Sequence, residues 1–139
     1  MRTNTGRVWL GGIAGGIVWN VLSFLIYMRQ APLYEFLQRQ NLFLAQPRYP
    51  FFKEQWIGII FVMSMISAYL YAWVRAAAGA GPKTALRIGI LVGFLAGFPS
   101  NFAQASWSPI PRIMPLGWMI ELWMGAILAS LTAGFLYKE

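Results

Sequence analysis

From Arg87 to Trp107 the chain reads RIGILVGFLAGFPSNFAQASW, 21 residues with no charge after the first. As a helix rising ~1.5 Å per residue, this stretch crosses the ~30 Å hydrocarbon core of a bilayer. Gly89, Gly93 and Gly97 recur every four residues and therefore share one helical face. Bare backbone turned towards lipid gains nothing, so the stripe predicts a second helix lying close against it. Pro99 removes one donor and frees the Leu95 carbonyl, which predicts a kink. Beyond it Ser100, Asn101 and Gln104 continue the stripe with polar groups.

Three further runs have the same character, at 8–28, 56–74 and 116–137. The fold class they predict is an all-α membrane protein: a single domain, 1–139, of four transmembrane helices. In the first run Gly12, Gly16, Asn20, Ser23 and Tyr27 fall on one face, with Gly11 and Gly15 beside them. The second has a small or polar face of Ser64, Ser67, Ala68 and Tyr71, and the fourth one of Glu121, Gly125, Ala129 and Thr132. The opening MRTNTGR and its apolar run resemble a signal peptide. The run ends in Tyr27, Met28 and Arg29 with no small-x-small cleavage site, so it reads as a retained span.

Residues 29–55 form the longest connection. Pro32 suits a first helical turn, and Leu33, Phe36, Leu37 and Leu44 alternate with polar residues in an amphipathic pattern. The expectation is a separate interfacial helix, about 32–45, lying along the membrane surface. QPRYPFFK after it is extended, because Pro47 and Pro50 disfavour helix in the residues before them. A shift of 81 residues places Leu10, Gly12, Gly16 and Asn20 on Leu91, Gly93, Gly97 and Asn101. Spans two and four match more weakly at a shift of 65, through Pro50 on Pro115 and Ala68 on Ala133. The pattern suggests a 2+2 parallel internal repeat about an axis along the membrane normal.

Composition removes whole classes of function. Hydrophobic residues make up 58% of the chain and charged ones 11%, against about 25% charged in soluble domains. The net charge of +7 would suggest nucleic acid in a soluble protein. Here the basic residues flank the apolar runs, so they read as orientation signals and no nucleic acid is expected. There is no cysteine and no histidine. Disulfides, Cys/His zinc sites, His-ligated haem and a Ser-His-Asp triad are excluded with them. Arg2, Arg7, Arg75, Lys83, Arg87 and Lys138 lie on the side of the termini; Arg29, Arg39, Arg48, Lys53 and Arg112 lie on the other. Crowding of the first group into short segments at span ends favours both termini in the cytoplasm.

Depth arithmetic gives the candidate site. Counted at ~1.5 Å per residue, Asn20 lies ~12 Å, Asn101 ~9 Å, Gln104 ~5 Å and Glu121 ~7 Å from the same membrane face. The four are expected to form one polar cluster beneath the long loop. Such a cluster suits a ligand, ion or proton, or else plain interhelical hydrogen bonds at ~0.6 kcal/mol each. Arg112 or Arg48 would be the ion-pair partner of Glu121 in the structural version. The expected packing residues are Gly12, Gly16, Gly89, Gly93, Gly97 and Gly125, with Phe94 lying off their stripe. No metal ligand set is present, and a bound lipid or pigment is the cofactor class left open.

PRYPFF (47–52), GPKTALRIGILVGFLAGFPSNFAQASWSP (81–109) and the closing ILASLTAGFLYKE resemble a group of small four-span bacterial membrane proteins. That group has no assigned activity, so the resemblance implies an inner-membrane location and no site residues. Size and aromatic content are also similar to the tryptophan-rich sensory proteins, which have five spans where this chain supplies four. The function expected is a non-catalytic accessory subunit of a larger membrane complex, a respiratory or photosynthetic one. Its partners would be membrane lipids and other integral membrane subunits, or a second copy of itself. The alternative is a lipid-, pigment- or small-molecule-binding protein, or a small transporter, working through the polar cluster.

Overall fold

The computed structural model describes residues 3–137, and among them every regular element is a helix: α1 (Thr5–Arg39), α2 (Phe52–Ala78), α3 (Pro82–Trp107) and α4 (Ile113–Leu136). All four are long and apolar enough to cross a membrane, which makes this an integral membrane protein of four spans. Arg2 and Lys138, two of the residues in the orientation argument, lie outside the described residues.

The helix ends are set by short-range chemistry. Asn4 caps α1 by accepting the Arg7 N–H at 3.2 Å, and its own N–H donates to the Tyr137 hydroxyl at 2.9 Å. That bond ties the start of α1 to the end of α4. Between α2 and α3 the chain turns through Gly79 (φ 86°) and Gly81 (φ 130°), a region closed to most side chains. Pro82 then opens α3, where a missing N–H costs nothing. The Thr84 hydroxyl donates to the Gly79 carbonyl at 2.7 Å and the Gly81 N–H donates to the Tyr71 hydroxyl at 3.0 Å, so the turn is fixed from both sides.

Consecutive helices run antiparallel. α4 packs against the other three, whereas α1 and α3 stand apart. Glycine faces set the contacts. Cβ atoms placed on Gly89, Gly93 and Gly97 would stand 2.5 Å from the Ile127 Cα, 2.8 Å from the Trp123 Cα and 2.9 Å from the Met119 carbonyl oxygen, all on α4. On α1 there are two such faces: Gly12 and Gly16 meet Met65 and Phe61 of α2, and Gly11 and Gly15 meet Ala133 and Ala129 of α4. Approach at this range gives helices in lipid the dispersion contact that a hydrophobic effect cannot supply there.

The two hairpins repeat one register, with closer backbone approach in the second. Gly12 faces Met65 and Gly16 faces Phe61; their counterparts 81 positions on, Gly93 and Gly97, face Trp123 and Met119. The partners are thus offset by 58 positions, two helical turns short of the 65 suggested by the weaker sequence match. Asn20 donates its side-chain N–H to the Gly16 carbonyl at 2.9 Å, and Asn101 does the same to Gly97 at 2.8 Å.

The separate surface helix is not found. Residues 32–39 are the continuation of α1, which runs 35 residues, ~52 Å, and so stands well clear of the hydrocarbon core. Pro32 is carried inside the helix, and Pro99 likewise inside α3. The reason lies in what the amphipathic face meets. Leu37 and Met114 are fully buried, and with Ile110 they form a small core joined by Leu33, Tyr34, Phe43 and Trp118. The Trp118 indole donates to the Tyr34 hydroxyl at 2.6 Å, and Leu42 and Phe43 N–H groups both donate to the Leu37 carbonyl. This face therefore packs on the start of α4 and its own loop, not on the membrane surface.

Candidate functional site

One antiparallel ladder positions the buried carboxylate. Each step of four residues along α1 is matched by a step of four back along α4: Gly11 with Ala133, Gly15 with Ala129, Trp19 with Gly125, and Ser23 with Glu121. The pairs are complementary in size. Glycine meets alanine twice, then the Trp19 indole occupies the place where Gly125 has no side chain. Trp19 is fully buried as a result. One turn further out there is room for two polar side chains, and Ser23 and Glu121 fill it.

Glu121 is 6% exposed. The Ser23 hydroxyl donates to its Oε1, and the Trp56 indole N–H of α2 donates to the same oxygen and to Ser23 Oγ at 3.3 Å each. Three helices are joined at this point. Among the described residues the only ion pair is the exposed Glu35–Arg39 contact, so neither Arg112 nor Arg48 neutralises Glu121. The group does not depend on α3.

The four residues expected to cluster do not. Asn101 is buried (6% exposed) and Asn20 half-buried, but each amide donates within its own helix, to Gly97 and Gly16. Gln104 is exposed. No hydrogen bond among the described residues joins any two of the four. Azimuth separates them. Asn20 follows Gly12 and Gly16 on the face of α1 that meets α2, while the face meeting α4 carries Trp19 and Ser23. Trp56 gave no sequence signal of its own, since a tryptophan at a span end ordinarily marks the membrane interface.

Two buried polar atoms have no partner among the described residues, the Trp19 indole nitrogen and the Ser130 hydroxyl. The first lies against Gly125, one turn inward from Glu121. Elsewhere Ser64 donates to the Gly12 carbonyl at 2.8 Å, a further tie between α1 and α2. On the outer face of α2 a shallow open groove of about 530 Å³ is lined by Gln55, Gly58, Ile59, Val62 and Met63. No three histidine, cysteine, aspartate or glutamate side chains come together among the described residues. The remaining distinct surface is on α3, where Phe94, Phe98 and Phe102 stack at ring separations of 5.1 Å, nearly parallel. Trp123 of α4 meets the first two edge-on.

No family model, no curated protein and no solved structure matches this chain.

Proposed function

We propose that this protein is a non-catalytic structural subunit of a larger bacterial inner-membrane complex, such as a respiratory or photosynthetic assembly, with both termini in the cytoplasm. The observation that carries the reading is the Phe94–Phe98–Phe102 stack on α3. Its rings are held against one another and against Trp123, so their rotamers are fixed before any partner arrives. A rigid aromatic row on a lipid-facing helix offers a neighbouring helix large contact area at low entropic cost. The glycine faces support the same reading from the other side. They are used within the chain, so the bundle arrives at a complex already folded and docks through its outer surface.

Purification from native membranes in mild detergent, with identification of co-migrating chains, tests this. The expected result is a defined set of integral membrane partners, lost on Phe98→Ala with Phe102→Ala while the bundle stays folded. A lone, monodisperse species retaining a small molecule, lipid or pigment would overturn it in favour of a binding protein.

A further inference from the structure

Of the four acidic residues, all glutamates, Glu121 is the one that lies buried within a span without a positive partner among the described residues. Glu35 is paired in the open with Arg39, and Glu54 is exposed at the start of α2. An ionised carboxylate in a bilayer is costly unless its charge is balanced and its oxygens are bonded. Here both bonds, from the Ser23 hydroxyl and the Trp56 N–H, converge on Oε1. No described residue donates to Oε2.

The surroundings hold no charge that would serve. α1 contributes Ser23 and Trp19, with Arg29 exposed farther out; α2 contributes Trp56, with Lys53 and Glu54 exposed at its start. α4 carries no other acidic or basic residue between Ile113 and Leu136, and the two basic residues of α3, Lys83 and Arg87, are at the opposite end of the bundle. Tyr34 is the neutral titratable group close enough to feel Glu121. What is present instead is donors. Trp19, fully buried one turn inward, has an indole N–H without an acceptor. The two indole N–H groups cannot ligate a metal cation, and Ser23 Oγ is the one side-chain oxygen that the hydrogen bonds place beside the carboxylate. The lining is therefore too poor in oxygen for sodium or potassium and suits a proton.

We propose that Glu121, Ser23, Trp56 and Trp19 form an exchangeable proton site in which Glu121 Oε2 binds a proton drawn from the aqueous phase on the side of the 40–51 loop. In the protonated state the Oε2 hydroxyl donates to a water that also accepts from the Trp19 N–H, which gives that buried indole a partner. On protonation an O–H bond forms at Oε2, an O–H bond of a hydronium breaks, and neutral water remains. Trp56, half-exposed and one turn from the start of α2, marks the way out. The site does not depend on the docking surface of α3, so the two proposals stand or fall separately.

Infrared difference spectroscopy of the whole protein in lipid nanodiscs, stepped in pH, reads the carbonyl stretch of a protonated carboxyl. The expected result is a band at the higher frequency of a desolvated carboxyl, distinct from that of the exposed Glu35 and Glu54. It should appear reversibly on acidification, be absent from Glu121→Gln, and change frequency in Ser23→Ala, which keeps the carboxyl and removes one donor. Ser23→Ala also carries the test if Glu121→Gln fails to fold. Trp19→Phe should keep the band but shift its frequency, because the water held at Oε2 loses its second partner. A high-frequency band that does not change with pH, or one that survives Glu121→Gln, overturns the site. Suppression of the band by sodium or potassium at fixed pH overturns its assignment to a proton, and an unchanged frequency in Trp19→Phe overturns the bridging water.

Discussion

Replacing Gly89 by alanine adds one methyl group at the tightest point between α3 and α4. The new Cβ would stand 2.5 Å from the Ile127 Cα, 3.0 Å from the Ala126 carbonyl oxygen and 3.1 Å from the Ile127 nitrogen. Carbon atoms pack best at ~3.5–4.0 Å, so the two helices must part by about 1 Å. All three obstructing atoms are main chain, so no rotamer change relieves the clash. Overpacking of this kind costs ~1–3 kcal/mol, and a gap of that width forfeits a quarter to a half of the dispersion in the contacts beside it. Gly89→Ala should therefore lose about 2 kcal/mol. Gly93→Ala should follow closely, against the Trp123 Cα and carbonyl oxygen, both at 2.8 Å, with Gly97→Ala mildest of the three. Leucine at Gly93 or Gly97 should be worse than alanine at either. Gly12→Ala should cost least, because Met65 presents its flexible thioether to that position. Phe94 is no blank control, since it stacks on Phe98 and touches Trp123. Leu95, 73% exposed, is the better comparison. Reversible unfolding in detergent micelles measures the series. Equal stability of Gly89→Ala and Leu95→Ala would refute the close approach of α3 and α4.

Because the chain has no cysteine, single cysteines report topology cleanly: an impermeant thiol reagent on intact cells should label position 40 and spare position 80, and the reverse pattern means an inverted orientation. Trp118→Phe removes the 2.6 Å bond to Tyr34 and should loosen the cap formed by the end of α1 and the 40–51 loop. Faster proteolysis of that loop with unchanged bundle stability is the expected signature; an unchanged cleavage rate would show that the bond does not hold the cap. Ser64→Ala deletes the bond to the Gly12 carbonyl and should cost only about 0.6 kcal/mol, since such bonds in membranes average that little. A loss several times larger in the same unfolding assay would assign Ser64 a packing role as well.

The spans were legible because length and hydropathy are properties of a segment taken alone. α3 ends at Trp107 as read, and Gly89, Gly93 and Gly97 lie against another helix because bare backbone has nowhere better to go. The face of α4 carrying Glu121, Gly125 and Ala129 was also legible from its i, i+4 spacing. Which face of α1 it meets was not. Gly11, Gly12, Gly15 and Gly16 offer two adjacent faces, and only the complete bundle assigns one to α2 and the other to α4. That single choice of rotation puts Ser23 beside Glu121 and leaves Asn20 to bond its own helix. The end of α1 was obscured for a related reason. Leu33 and Leu37 announce an apolar partner, but the partner is Met114 and Ile110, nearly eighty residues away.

The way α4 touches every other helix has a consequence for how the protein is made. α1 and α2 are complete at Ala78, and 35 positions of chain separate that residue from the start of α4 at Ile113. At ~5–20 residues per second, translation takes about 2–7 s to cover that interval. During it the first hairpin lacks the helix that covers Gly11, Gly15, Trp19 and Ser23, and Trp56 is left with Ser23 Oγ as its one acceptor. An insertase or intramembrane chaperone shielding this face would find it in the nascent chain and lose it once α4 enters. A ribosome stalled before Ile113 leaves that face open, with the Ser23 hydroxyl and the Trp56 N–H lacking the carboxylate they bond in the finished bundle.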